Sequence, residues 1–243
     1  MPKTSGWWHA DAYRLMDLRP EMEPELVARL DDLERHSGLR LPAAVREWYS
    51  VGAAQRRLAE RRQNPLTTTA ELGEPRDRID HLAHGRLITE TDCQYCCHWV
   101  VRLAPWPDGT EPLFPLPGAA SGPDDDPPVW VIDPDDRDVT LMPYADRFSD
   151  YLLTSVWDSC EPADAFSGFD LPLPPHALDV LRQRYQELPT TYSWAGNQGC
   201  DAMYRFDGAA RVLIAVAGEI ALYVVVSTTD PRHEAELRSL FGL

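Results

Sequence analysis

The chain has 243 residues, 44% hydrophobic and 26% charged, which places it among folded globular proteins and excludes disorder as its main state. Its 14 Gly and 22 Pro follow no period, which excludes a collagen-like or mucin-like chain. Twenty-three Lys and Arg stand against 39 Asp and Glu, a net charge of −16, which argues against a general nucleic-acid binder and for solubility and the steering of basic partners.

Residues 1–21 form an N-terminal arm carrying Trp7, Trp8, Tyr13, Leu15, Met16 and Leu18, expected as a short helix or a segment docked on the body. Residues 24–37 predict a helix: Leu26, Leu30 and Leu33 share a face, Pro24 suits the first turn, and Gly38 suits a left-handed stop. Pro42 opens a second helix with Val45, Trp48 and Tyr49 as its apolar stripe, and Gly52 breaks it. Residues 53–63 resume as a helix with Arg56, Arg57, Arg61 and Arg62 expected on its solvent face. Residues 64–85 are polar and carry no clear period.

Trp99–Leu103 and Pro128–Ile132 read as strands separated by a Pro- and Gly-rich loop, and Asp146–Trp157 as a helix with Phe148, Tyr151, Leu152, Val156 and Trp157 inward. After a Pro-rich stretch, His176–Leu188 has helical period. Ala202–Phe206, Arg211–Ala217 and Ile220–Ser227 predict a three-strand meander, with Val224–Val226 covered on both faces. Asp230 as N-cap and Pro231 at the first position start a last helix to about Phe241.

Several of these segments, taken together, resemble the SUKH superfamily. The opening matches Glu34, Gly38, Leu39, Leu41-Pro42 and Trp48-Tyr49; only Gly52 matches the Asn-Gly that follows in the family. Glu90, Gln94 and Trp99-Val100 are similar to its acidic-Gln-x-Trp strand. Asp125–Val131 is similar to its acidic Pro-Pro strand, and Phe148–Leu153 to its Ser-Phe-x-x-Phe-Leu helix, with Arg147 in place of the Ser and Tyr151 in place of the second Phe. The match covers roughly residues 22–158.

The resemblance implies an α+β fold, a mostly antiparallel sheet flanked by helices over residues 22–160. The remaining residues 161–243 read as an α-β-β-β-α extension expected to pack on that domain. It also implies a function class: bacterial members are mostly immunity proteins that neutralise polymorphic toxins, often nucleases or deaminases, fungal members are scaffold-like regulators of cell-wall synthesis, and the shared residues look structural. The expected protein is therefore a non-enzymatic module, without cofactor or metal, that occludes the active site of a basic toxin. A regulatory scaffold without a toxin is the alternative, and a zinc-dependent enzyme the weaker third.

The residues offer candidates for each. Asp124, Asp125, Asp126, Asp133, Asp135, Asp136 and Asp138 put seven carboxylates into 15 residues. They lack the turn Gly and closing Glu of a calcium loop, so they read as solvated loops or as the surface that docks on a basic partner. His81, His84, Cys93, Cys96, Cys97 and His98 have zinc-type spacings, but adjacent strand residues face opposite ways, so Cys96 and Cys97 do not ligate together easily. Cys200 follows a Gly- and Asn-rich turn and could present a thiol; there is no Gly-x-Ser-x-Gly elbow or phosphate-cradling loop. Trp7, Trp8, Trp106 and Trp194 fall near loops or the terminus, where aromatic anchors of a partner surface belong. Five cysteines, an odd number with three in five positions, make a poor disulfide framework and point to a reducing compartment. No window approaches 18 apolar residues and no signal-peptide core precedes Trp8, so a cytoplasmic monomer with no membrane or nucleic-acid partner is expected.

Overall fold

The computed structural model describes residues 6–76, 79–103, 125–134, 141–160, 166–192 and 200–243. These fold as α+β, with seven helices and two antiparallel sheets among the described residues. The chain divides into two compact units, Met1–Ser159 and Cys160–Leu243.

In the first unit, α1 (Ala10–Leu15) is followed by α2 (Pro24–Ser37), α3 (Ala43–Ser50) and α4 (Gly52–Ala59). Pro24 sits in the first turn of α2, where a missing N–H costs nothing. Gly38 ends it at φ 70°, a left-handed conformation that glycine adopts without a Cβ penalty, and donates its N–H to Glu34 O. Pro42 stands before α3 in extended geometry, so the chain turns sharply between the two helices.

A four-stranded meander follows: β1 (Arg86–Thr91), β2 (His98–Arg102), β3 (Val129–Ile132) and β4 (Met142–Ala145), in that spatial order. β2 and β3 are the two strands expected from their apolar runs, and β3 is buried along its whole length. β1 and β4 were not legible. β1 is buried throughout although it reads Arg-Leu-Ile-Thr-Glu-Thr; Thr89, Glu90 and Thr91 have internal hydrogen-bond partners. Pro143 lies in β4, where it fits because β4 is an edge strand. α5 (Phe148–Ser159) then buries Phe148, Tyr151, Leu152, Val156 and Trp157, the inward face expected of it.

Aromatic rings join these elements. Tyr13 of α1 stacks on Trp48 of α3 at 6.3 Å, and His9 packs edge-on against Trp48 and Phe148. Phe148 leans on Tyr151, which meets Tyr144 of β4, which meets Trp99 of β2. The N-terminal arm is thus docked on the body through α1 and α5, each aromatic pair adding about 0.5–1.5 kcal/mol beyond its buried area.

In the second unit β5 (Phe166–Pro172), β6 (Gln186–Glu187), β7 (Ala202–Asp207), β8 (Arg211–Ala217) and β9 (Ile220–Ser227) make a sheet of order β5-β9-β8-β7-β6. One face, with Phe206, Val212, Ile214, Val216, Val224 and Val226, packs on Leu181 of α6 (Ala177–Arg184) and on Leu237 and Phe241 of α7 (Pro231–Phe241). The opposite face carries buried Met203, Leu213 and Ala215 but only half-buried Val225, so Val224–Val226 is fully covered on one face and partly on the other. Asp230 caps α7 by accepting from Arg232 N at 2.9 Å. The helix expected over His176–Leu188 stops at Arg184, because Gln186 and Glu187 pair with β7 instead.

Candidate partner-binding surface

Three carboxylates of the motif segments, Glu34, Glu90 and Asp126, accept internal hydrogen bonds. Glu34, on the last turn of α2, accepts from Leu41 N and from Arg46 Nη1, each at 2.7 Å, and so fixes the Leu39–Pro42 turn. Arg46 also reaches Asp31. Glu47, buried in α3, accepts from the backbone N–H of Trp8 at 2.8 Å and of His9 at 3.0 Å, while His9 Nε2 lies 2.8 Å from Ala44 O. The same carboxylate and burial together hold the Tyr13 phenol far above its ordinary pKa, burial being the larger cause.

Glu90 on β1 has no exposed surface. It accepts from Arg62 Nη2 at 2.5 Å, Asn64 Nδ2 at 2.9 Å and Tyr151 Oη at 2.5 Å. Burial lowers the Arg62 guanidinium's affinity for its proton, and Glu90, with smaller help from Tyr151, Tyr144 and Asp158, more than reverses that. The expected solvent stripe is therefore corrected at Arg62: its side chain is 17% exposed and serves the core, whereas Arg56 is exposed and pairs with Glu23 at 3.0 Å. A polar residue with helical spacing gives no sign of a buried partner 28 positions away, which is why sequence reasoning missed this network.

The three described members of the acidic run, Asp125, Asp126 and Asp133, differ in their surroundings. Asp125 is exposed, and its carbonyl accepts from Ala44 N at 2.8 Å. Asp126 is buried and caps α5 from outside the helix, accepting from Ser149 N at 2.9 Å and Ser149 Oγ at 2.6 Å. It is a structural carboxylate and does not belong to a partner surface. Asp133 is exposed just past the far end of β3, on the other side of that strand in the chain from Asp126. Asp124, Asp135, Asp136 and Asp138 lie outside the described residues.

Where β3 ends, the β1–β2 hairpin also ends, because His98 pairs with Ile132. The hairpin tip is Asp92–Cys97, closed by Asp92 N to Cys97 O and Tyr95 N to Asp92 O, both 2.9 Å. Tyr95 sits at φ 59° and is 61% exposed, the apolar anchor of this end. Burial first, then Asp92, Glu90 and Cys96, and last Asp133 push the Cys97 thiol up to about 12. The tip thus presents an exposed tyrosine at the end of the sheet where Asp133 follows β3, a combination suited to a basic protein surface.

The His and Cys candidates are not gathered. His81 and His98 are buried and pack edge-on at 5.8 Å, with His98 Nδ1 3.0 Å from Thr91 Oγ1. His84, Cys93 and Cys96 are exposed, Cys97 is buried, and among the described residues no three His, Cys, Asp or Glu side chains form a group able to hold a metal. Cys200 is buried, which raises its thiol pKa, and its Sγ lies 3.5 Å from Ala202 O. Trp7 and Trp8 are half-buried, Trp7 against Tyr13, and Trp106 and Trp194 lie outside the described residues. Among the described residues no helix is long and apolar enough to cross a membrane. Compared with family models, curated proteins and solved structures, the chain matches none, so its reading rests on its own residues.

Proposed function

We propose that this protein is a non-enzymatic immunity module of the SUKH type, a cytoplasmic monomer that binds a cognate polymorphic toxin and occludes its active site. The observation that carries the reading is the division of labour among its acids. Glu34, Glu90 and Asp126, three of the carboxylates of the resembling segments, serve as internal acceptors. Asp125, Asp133 and Tyr95 are exposed at the surface, where a partner can reach them. A toxin acting on nucleic acid, a nuclease or a deaminase, presents cations around its active site, and a net charge of −16 speeds encounter with such a surface.

The test is co-expression with the products of neighbouring genes. Co-purification of a toxin domain at one-to-one stoichiometry, with its activity blocked and host growth rescued, supports the reading. Growth inhibition by every such neighbour, unrelieved by this protein, overturns it.

A further inference from the structure

The β1–β2 hairpin holds a feature that metal binding and partner docking leave unused: two exposed thiols on either side of one tight turn. Cys93 and Cys96 flank Gln94 and Tyr95, and both are exposed and unbridged. The hairpin closes just outside them: Thr91 pairs with His98, Asp92 N donates to Cys97 O at 2.9 Å, and Tyr95 N donates to Asp92 O at 2.9 Å. Positions 93 and 96 thus lie three residues apart inside the turn, where a reversing chain brings Cα(i) and Cα(i+3) within about 7 Å, a separation that overlaps the roughly 4.4–6.8 Å a disulfide spans. Two anchors hold the turn there: Asn64 Oδ1 accepts from Cys93 N at 3.1 Å, and Asp92 Oδ2 accepts from Gln94 N at 2.9 Å.

We infer that Cys93 and Cys96 form a dithiol modification site, closed to an intrahairpin disulfide by exchange with a low-molecular-weight disulfide of the glutathione class. One of the two thiols, as its thiolate, attacks the small disulfide and expels one small thiol, leaving a mixed disulfide on the protein. The second protein thiol loses its proton to solvent, attacks the protein-side sulfur of that mixed disulfide, and expels the second small thiol. The protein gives up two electrons and two protons, and the small disulfide is reduced to two thiols. Cys97 stands aside: it is buried, and only a thiolate attacks. The ring so closed encloses Tyr95, the exposed aromatic of the candidate partner surface. Any effect on toxin binding rests on the function proposed above; formation of the disulfide does not.

The experiment uses the full-length protein equilibrated with oxidised glutathione, quenched by alkylation and mapped by mass spectrometry. The tryptic peptide Leu87–Arg102 is expected to lack two hydrogens, with Cys97 alone alkylated and fragment ions placing the bridge between Cys93 and Cys96. Because the second step is intramolecular, the bridged form should exceed the mixed disulfide by about tenfold or more. Cys93→Ser and Cys96→Ser should instead carry glutathione on the remaining thiol, and Cys97→Ser should keep the bridge. Wild-type peptide with both Cys93 and Cys96 glutathionylated, both left as free thiols under conditions that modify the single variants, or bridged through Cys97, overturns the inference. Binding of a toxin, with or without the bridge, is read separately and bears only on the proposed function.

Discussion

Glu90→Gln tests the buried network that joins the segment after α4 to β1 and α5. The substitution keeps shape and one carbonyl acceptor but removes the charge that Arg62 faces at 2.5 Å. Breaking a buried pair from one side costs about 3–5 kcal/mol because the remaining charge stays in a poor solvent. Arg62 is 17% exposed and keeps the weaker field of Asp158, which argues for the lower end, about 3 kcal/mol. With a urea slope of about 2 kcal/mol/M, the midpoint should fall by roughly 1.5 M. Tryptophan emission is a suitable probe, since Trp194 is the one tryptophan beyond residue 159 and the signal therefore reports the first unit. Tyr151→Phe removes one hydrogen bond to the same carboxylate and should cost about 1.5 kcal/mol. The double variant should cost less than the sum, because both changes weaken one network. A midpoint shift below about 0.3 M for Glu90→Gln would mean that Arg62 simply swings into water, and the core role assigned to it would be wrong.

Three further outcomes are expected. Asp150, beside the Asp126 carboxylate in the first turn of α5, is pushed up to about 6, chiefly by burial, then by Asp126, with Arg147 opposing. Its folded pKa lies above the unfolded value, so the stability it contributes is full below about pH 4 and is lost as pH rises through about 6; Asp150→Asn should therefore stabilise the protein by about 1–2 kcal/mol at pH 7 and flatten that part of the stability profile, as urea midpoints at pH 4 and pH 7 will show. Glu47→Ala deprives the Trp8 and His9 N–H groups of their acceptor and should free the arm at a cost of about 3 kcal/mol, seen as faster amide exchange at these two residues and faster tryptic cleavage after Arg14. Asp126→Ala should lower stability by about 1–2 kcal/mol through the lost cap and leave partner association unchanged, whereas Asp133→Asn should leave stability within about 0.5 kcal/mol and slow association with a basic partner at low salt.

What the sequence revealed of the fold follows from where its periodicities are dictated by burial alone. α2 was legible because Pro24, a leucine stripe and Gly38 all agree, and β8 and β9 because apolar runs are divided by tight glycine turns. β1 was hidden because burial and polarity part company there: Arg86, Thr89, Glu90 and Thr91 are all buried. β5 was hidden by Gly168 and by Asp170, which takes φ 51° within the strand. The candidate site shows the same limit. Seven nearby aspartates look alike in sequence, yet a buried Ser149 contact makes Asp126 a cap, and strand β3 carries Asp133 away from Asp125. Tyr95 gave no signal of its own, because exposure at a hairpin tip depends on a register that Glu90 and Trp99 set from a distance.

The two sheets also differ in when the growing chain can complete them. In the first unit each strand's partner is the strand just before it, so the meander can assemble as it emerges from the ribosome, with α5 closing it. In the second, Phe166 of the leading strand must wait for Val226 of the last, and only then does α7 arrive to cover the Val224–Val226 face. Contacts so distant in sequence slow folding and leave β5 without a neighbour during synthesis. Messages that stall between codons 172 and 220 would therefore yield a finished first unit trailing an orphan strand, a ready substrate for quality-control proteases.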